Sequence, residues 1–361
     1  MTQATKLGSL DVALDMTFAN RNRGGSGVYA RSLLAALRNR ESLTVWEIAG
    51  PAASNLPGTL SWLVRGARRA LTARRPDILH CPSFVAPWRL PVPFVVTVHD
   101  AGGRRFPADH PLEWRLYDRA ILSSRLRAAA RVITGSSFAR AELIQEYGLP
   151  DNRVVVIPYG VDARYFEPVS ETSNTHAVTM LFPGAPVPRK NIDAVLQCMA
   201  AASLDTAVGQ ARLDISGARP EDFRGVVSQI ESLRLASRVR WLGHVPAEQM
   251  PSVIARSHVV VYPSLSEGFG FPLLEALAVG TPAVGSDRGS IPEIVGDAAV
   301  LVDPTDRRAL NDALESVLTR PELRARLKRA GKERAQTFTW ERCAAMTLDV
   351  YRSVLAEARA G

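Results

Sequence analysis

The sequence predicts an α/β protein made of two doubly wound parallel sheets, and three observations carry that expectation. Short β-branched runs alternate with longer amphipathic stretches along the chain, the pattern of strands linked by helices. The strand candidates are mostly apolar on both faces, as strands covered on both sides must be. The alternation is interrupted once, by the polar, Pro-containing stretch "DARYFEPVSETSNTHA" (162–177), and then restarts. A chain of 361 residues is also too long for one ordinary core and suits two domains.

In the first half, "LDVALDM" (10–16), "DILHC" (77–81), "FVVTVHD" (94–100), "RVITGS" (131–136) and "RVVVIPYG" (153–160) read as strands. Helical spacing falls on "GVYARSLLAALRNR" (27–40), "LEWRLYDRAILSSRLRAAAR" (112–131) and "SFARAELIQEYG" (137–148). The interrupting stretch reads as an interdomain linker. Beyond it, "VTMLFPG", "ARLDISG", "RVRWLG", "HVVVYPS", "TPAVGS" and "AAVLVDP" are strand candidates, each with a helical pattern close by. The last stretch, "FTWERCAAMTLDVYRSVLAEARA" (338–360), is a helix by its apolar spacing, with Thr339 as N-cap. The expected organisation is a first domain over 1–165, a second over 166–337 and a terminal helix over 338–361. Open α/β sheets bind ligands beyond the carboxyl ends of their strands, so two such sheets would face each other across a cleft.

Composition excludes several classes. Apolar residues make up 46% and charged residues 22%, which suits a folded, water-soluble chain. No apolar run approaches the ~18 residues of a membrane span. The start, "MTQATKLGSLDVALD", lacks the parts of a secretory signal, so a cytoplasmic location is expected. Cys81, Cys198 and Cys343 lie far apart and form no CxxC or Cys/His cluster, which excludes a disulfide framework and a zinc site of ordinary spacing. The net charge of +8 suits an anionic partner. No finger, basic zipper or RNP motif points to nucleic acid.

Four stretches carry candidate chemistry. Gly25, Gly27 and Ala30 fit a dinucleotide fingerprint by spacing, but "TFANRNRG" separates them from the strand, so that reading is rejected. A Gly-rich loop running into a helix N-terminus remains, which either approaches a phosphate or sugar or is a plain loop. "FPGAPVPRKNIDAVL" (182–196) sets Gly184 after a strand and ends with Arg189, Lys190 and Asn191 where a helix begins. That is an anion site or a solvated basic turn. "PSLSEGFGFPLLEALAVGTP" (263–282) begins where a strand ends, and Gly270 leads into a helix stopped by Gly280. Glu267 precedes that helix and Glu275 lies one turn into it; two carboxylates alone would also suit a glycosidase. "VTVHDAGGRRFP" (96–107) puts His99 at a strand end before a Gly-Gly loop. No D-x-D triplet occurs, so the usual carboxylate pair for a divalent metal at a sugar nucleotide is missing.

Taken together, "GGSGVYARSLLAAL", "VITGSSFARAEL", "VIPYGVD", "PGAPVPRKNIDAVL", "PSLSEGFGFPLLEAL" and "PEIVGDAAVLVDP" resemble glycosyltransferase family 4, the retaining GT-B enzymes, over almost the whole chain. The Glu-x7-Glu stretch is the most specific element, and "PRKN" resembles the bacterial mannosyltransferase branch. The resemblance implies a GT-B fold whose terminal helix crosses back to the first domain. Glu267 would hydrogen-bond donor-sugar hydroxyls. Phe269, Gly270, Phe271 and Leu274 would line the donor at the helix head, and Glu275 would grip the ribose. Lys190, with Arg189 beside it, would neutralise the diphosphate. Gly184, Gly217, Gly243, His244 and Val245 would border the nucleotide, His99 would sit near the sugar and acceptor, and the loop with Gly25 and Gly27 would close over the diphosphate. No cofactor or metal is implied beyond the substrate, a GDP- or UDP-hexose, with a hydroxyl acceptor that suits a lipid-linked sugar.

The sequence departs from the family where many members have Arg after the Gly matching Gly184; here it is Ala185. Arg189, or Arg104 or Arg105 from the first domain, would supply the second cation. An inactive nucleotide-sugar-binding scaffold and a UDP-hexose transferase are the alternatives. "TLSWLVRGARRALTARR" (59–75) puts Leu60, Leu63, Val64, Ala67 and Leu71 on one helical face and Trp62, Arg65 and Arg69 on another. Such a helix rests on an anionic membrane at the inner face or docks on the first sheet.

Overall fold

In the computed structural model the described residues are 10–20, 22, 24–50, 61–109, 112–169 and 178–360. The chain forms two compact units, one of Met1–Gly160 with Thr339–Gly361 and one of Val161–Phe338. Each holds a six-stranded sheet in which every pairing is parallel. Both units are Rossmann-like.

Unit 1 contains β1 (Leu10–Asp15), β2 (Leu43–Ile48), β3 (Ile78–Cys81), β4 (Phe94–Thr97), β5 (Arg131–Thr134) and β6 (Val154–Val156), in the spatial order β2-β1-β3-β4-β5-β6. β3 and β4 are buried at every position, because helices cover both faces. The helix Trp340–Ala360 returns to this unit and buries Trp340, Cys343, Ala344, Thr347, Leu348, Tyr351 and Val354 along one stripe. Thr339 caps it by accepting from the Arg342 amide at 3.1 Å. A buried polar chain adds specificity. His80 on β3 meets Tyr351 OH through Nδ1 at 2.6 Å and Thr97 Oγ1 through Nε2 at 2.8 Å. Burial pushes the His80 imidazole down to about 3, so the ring is neutral and both nitrogens are satisfied.

Unit 2 contains β7 (Thr179–Phe182), β8 (Arg212–Ser216), β9 (Val239–Gly243), β10 (Val259–Tyr262), β11 (Ala283–Ser286) and β12 (Val300–Val302), in the order β12-β11-β10-β7-β8-β9. Strand succession runs one way from β7 to β9 and the other way from β10 to β12. The reversal point lies between β7 and β10, where chains leaving the two carboxyl ends part and open a crevice. The core around it is apolar, from Phe182, Val195, Leu196 and Met199 to Val261, Leu310 and Leu314. In the linker stretch, Ala163–Phe166 forms a 3-10 turn within unit 2, capped by Asp162, which accepts from the Arg164 amide. Residues 170–177 of that stretch lie outside the described residues.

Candidate active site

The loops after β7 and β10 leave their strands at the reversal point of unit 2 and are laced together there. The Arg189 carbonyl accepts from the Leu265 amide at 2.7 Å and from Ser264 Oγ at 3.2 Å. Arg189 Nη1 donates to the Ser266 carbonyl at 3.0 Å and to Glu267 Oε1 at 2.9 Å. Asn191, in the left-handed region at φ 57°, donates through Nδ2 to the carbonyls of Pro263 and Pro304. These bonds are needed because both segments leave the sheet with backbone groups that no strand partner satisfies.

Glu267 is buried and held hard. Its Oε1 also accepts from Tyr262 OH at 2.7 Å and Ser264 Oγ at 2.9 Å, and its backbone carbonyl accepts from Ser290 N and Oγ. Lys190 is arranged differently. Its Nζ lies 5.5 Å from the centroid of the Tyr262 ring and makes no hydrogen bond or ion pair among the described residues. Burial pushes its ammonium down from the ordinary Lys value, Glu267 opposes that shift, and Arg189 adds to it. A half-buried cation with so little compensation gains when an anion arrives.

The strand ends next to Lys190 are stripped of side chains. Gly184, Gly217 and Gly243 follow or end β7, β8 and β9, and all have positive φ. The Gly217 amide donates to the Gly243 carbonyl at 2.7 Å. A Cβ on Gly217 would sit 3.1 Å from Gly184 Cα, and one on Gly184 would sit 2.4 Å from Lys190 Nζ. The positive φ favours glycine at both points, and the result is a bare backbone ledge beside one cation. His244 is exposed and Val245 half-buried just beyond it.

On the other side of the crevice, Gly270 caps the helix Phe271–Val279. The Leu273 amide turns back to the Gly270 carbonyl and Pro272 has none, so this helix head presents fewer amides than an ordinary one. The Leu274 side chain is fully buried in the core. Phe269 is buried against Phe271 at 5.0 Å and Phe338 at 6.1 Å. Glu275 accepts a hydrogen bond from Tyr165. Desolvation pushes its carboxyl up to about 7, with Tyr165 pulling it down and Asp162 pushing it up.

The remaining sequence candidates lie in unit 1. His99 follows β4, and its Nδ1 lies 2.8 Å from Tyr159 OH. Its Nε2 is buried and has no hydrogen-bond partner among the described residues. Burial lowers the ring to about 4 despite Asp100, so it is neutral at pH 7 and serves as a hydrogen-bonding group, not as a cation. Gly25 and Gly27 head the helix Gly25–Arg38, whose Tyr29 stacks edge-on against His99 at 5.1 Å. A Cβ on Gly27 would lie 1.7 Å from the Asn22 carbonyl, so the loop closes tightly on this helix. Arg104 is engaged by Asp118, Ser123 and the Glu146 carbonyl, and Arg105 by Glu142, all within unit 1.

Residues 165–334 match the family described as glycosyl transferases group 1, and residues 23–165 match glycosyltransferase family 4. The chain is 32% identical over 292 residues to the O-antigen chain mannosyltransferase B of Escherichia coli, covering 78% of this chain and 76% of that one. It is 28% identical over 343 residues to the MMP alpha-(1->4)-mannosyltransferase of Mycolicibacterium hassiacum, covering 89% and 80%. The chain belongs to glycosyltransferase family 4. This family 4 glycosyltransferase superposes on the sucrose-phosphate synthase of Thermosynechococcus elongatus with a TM-score of 0.81 at 22% identity, over 96% of this chain and 100% of that one. Anabaena Alr3699/HepE, solved with UDP and glucose, gives 0.76 at 18%, over 95% and 100%. At such identities the likeness establishes the fold, which is GT-B.

Three residues of the glycosyltransferase's site escape sequence reasoning. Tyr262 and Ser264 precede Glu267 by five and three positions and hold its carboxylate. Their signal is a Tyr closing an otherwise aliphatic strand, "VVVY". Tyr165 carries no such signal, because its partner Glu275 is far away in sequence.

The basic helix of unit 1 docks by Leu63, Ala67 and Leu71, which are buried in the core, while Val64 is 50% exposed. Trp62 donates to Asp15 at 3.1 Å, and Leu60 lies outside the described residues. Elsewhere on the unit, Leu112 and Leu116 are 62% and 59% exposed, with exposed Arg115 and Arg119 at helical spacing beside them.

Proposed function

We propose that this glycosyltransferase moves a hexose, mannose in preference, from a nucleoside-diphosphate sugar to a hydroxyl acceptor with retention of configuration and without a metal. The observation that carries the reading is the reversal point of unit 2, where Lys190 lies beside a glycine ledge within the field of Glu267, and Glu275 acts electrostatically on Tyr262 of the same strand end. In this reading Glu267 accepts from sugar hydroxyls, Glu275 accepts from the ribose, and the diphosphate lies between them at Lys190. The two mannosyltransferase relatives favour mannose and hence a GDP-linked donor. The UDP and glucose held by Alr3699/HepE make a UDP-hexose the alternative donor.

In the reaction the bond from the anomeric carbon to the β-phosphate oxygen breaks, and its electron pair stays on that oxygen. Lys190 and the nearby amides stabilise the charge as it develops. The acceptor oxygen forms the new bond on the face the phosphate leaves, and its proton passes to the leaving phosphate. His99 contributes a neutral hydrogen bond, and neither glutamate need exchange a proton. This route needs no divalent cation, because Lys190 supplies the charge.

An acceptor for such an enzyme in polysaccharide, glycolipid or glycoconjugate synthesis is often lipid-linked, and the reading places the protein in the cytoplasm at an anionic bilayer. Residues 61–131 contain thirteen arginines against five acidic residues, so this segment accounts for the net +8 of the whole chain. The exposed Leu112 and Leu116 beside Arg115 and Arg119 suit that surface. No helix of the described residues is long and apolar enough to cross a membrane.

The test is a panel of GDP-, UDP- and ADP-sugars with nucleotide release as readout. Turnover should select one donor, and NMR of the product should show the donor's own anomeric configuration. An inverted product would overturn the retaining route. Donor binding without turnover on any acceptor would favour the scaffold alternative, to which Ala185 gives its one support.

A further inference from the structure

Charge alone assigns Arg189 and Lys190 the same task, since they are adjacent and both precede a helix. The geometry separates them. Arg189 Nη1 reaches Glu267 Oε1 at 2.9 Å and the Ser266 carbonyl at 3.0 Å. Tyr262 OH and Ser264 Oγ approach that same carboxylate oxygen at 2.7 and 2.9 Å, so three donors converge on Oε1. Glu267 Oε2 has no partner among the described residues. The main chain of Arg189 is fixed as well, because its carbonyl is bonded by the Leu265 amide and Ser264 Oγ. Lys190 Nζ makes no hydrogen bond to any of these groups among the described residues; it faces the Tyr262 ring at 5.5 Å and feels Glu267 only through space.

We propose that Arg189 is a positioning residue for the donor sugar. With Tyr262 and Ser264 it locks one oxygen of Glu267 and thereby aims the other at a sugar hydroxyl, while Lys190 alone of the pair serves the diphosphate. The physical reason is directional. A carboxylate free to rotate offers either oxygen along a wide arc, whereas one pinned at Oε1 by a planar guanidinium and two hydroxyls offers Oε2 along one line. The ion pair is neutral as a unit, so its effect on a diphosphate is small and its effect on hydroxyl geometry is large. Selectivity among hexoses then depends on a residue that need not touch the sugar.

This rests on the donor-site reading above, and the test separates the two. Calorimetry would measure Kd for GDP and for GDP-mannose, with UDP and UDP-glucose in parallel, on the parent and on Arg189→Gln, Arg189→Lys, Tyr262→Phe, Lys190→Gln and Glu267→Gln. Arg189→Gln should weaken the sugar nucleotide about tenfold and leave the free nucleotide unchanged. Arg189→Lys should restore part of the loss, and Tyr262→Phe should show the same split to a smaller degree. Lys190→Gln should weaken both ligands. If Arg189→Gln weakens both ligands equally, Arg189 serves the diphosphate or the fold, and the proposal is overturned. If Glu267→Gln leaves sugar-nucleotide binding intact, the donor-site reading itself fails. If Glu267→Gln shows the split and Arg189→Gln does not, the positioning role alone fails.

Discussion

Lowering the pH from 8 to 6 should weaken donor binding about tenfold, and Glu275 is the group responsible. Its carboxyl is pushed up to about 7 by desolvation, with the Tyr165 hydroxyl acting the other way. A carboxyl titrating near 7 is ionised in about ten molecules of eleven at pH 8 and about one in eleven at pH 6. Only the ionised form accepts from both hydroxyls of a ribose, so affinity follows that fraction. His80 and His99, at about 3 and about 4, stay neutral throughout and add no slope. A sugar nucleotide is the right ligand, because its diphosphate is doubly esterified and lacks the second phosphate ionisation near pH 6. Calorimetry on the parent should show the slope. Glu275→Gln should be weak and nearly flat, and should reveal whatever Lys190 contributes. Tyr165→Phe removes a hydrogen bond that favours the carboxylate, so its midpoint should move to higher pH. Stability without ligand should run the opposite way. The folded carboxyl holds its proton more tightly than the ordinary 4.5, so Glu275's contribution is full below about 4.5 and is lost as pH rises through about 7. An equal slope in Glu275→Gln, or none in the parent, would refute the assignment.

Gly184→Ala would put a methyl group 2.4 Å from Lys190 Nζ at a φ of 88°. About 1–2 kcal/mol of backbone strain follows, and thermal unfolding should drop by a few degrees while the Kd for free nucleotide rises. Parent-like values of both would contradict the ledge described above. Transfer should proceed undiminished in excess EDTA; a loss that Mg²⁺ or Mn²⁺ restores would show that Lys190 does not act alone. Leu112→Glu with Leu116→Glu should cut co-sedimentation with anionic vesicles at low salt about tenfold or more, and binding that ignores lipid charge would remove the bilayer contact.

The sheet of unit 2 was legible because four of its strands, β7, β10, β11 and β12, are short uncharged runs bounded by turn residues, and each of the six runs read there lies where the structure has a strand, the charged β8 and β9 included. β2 was missed for a physical reason. It is an edge strand with exposed Thr44 and Glu47, so "LTVWEI" lacks the continuous apolar signal of a covered strand. Residues 112–131 read as one helix, but a π-helical turn at Asp118–Leu122 divides them and holds Asp118 buried against Gly103 and Arg104. A second such turn, Trp62–Gly66, shifts the phase of the basic helix, and Val64 turns outward although its spacing matches Leu63 and Ala67. Periodicity assumes a constant rise and cannot register a widened turn. In the candidate site, residue types and strand-end positions were readable. Which cation meets which carboxylate was not, because Arg189 and Glu267 are 78 positions apart and meet only when two loops are laced across the reversal point.

That pairing bears on Ala185. A donor's diphosphate carries about two negative charges at neutral pH. Of the cations in the segments 183–191 and 263–271, Arg189 is paired with Glu267 and Lys190 is not. Arg104 and Arg105 are bound to acidic partners in unit 1. With Ala at 185, Lys190 is the cation of those two segments that has no acidic partner among the described residues, and the Gly270 helix head near it presents few amides; in the proposed reading it is the principal charge that meets the leaving diphosphate. A site with two cations loses one of two when its Lys is removed, whereas this one loses its principal charge. Lys190→Ala should lower kcat by about a hundredfold or more, the scale seen when a preorganised donor to a developing charge is deleted. Lys190→Arg should recover little, because a planar guanidinium on a longer stem does not place its charge where the Lys190 ammonium sits. A Lys190→Ala enzyme that keeps a tenth or more of the parent kcat would mean that another cation reaches the diphosphate. Installing Arg at position 185 tests the same charge balance from the other side: it should rescue part of the Lys190→Ala loss if total positive charge is the limiting quantity, and none if the position of the Lys190 ammonium is.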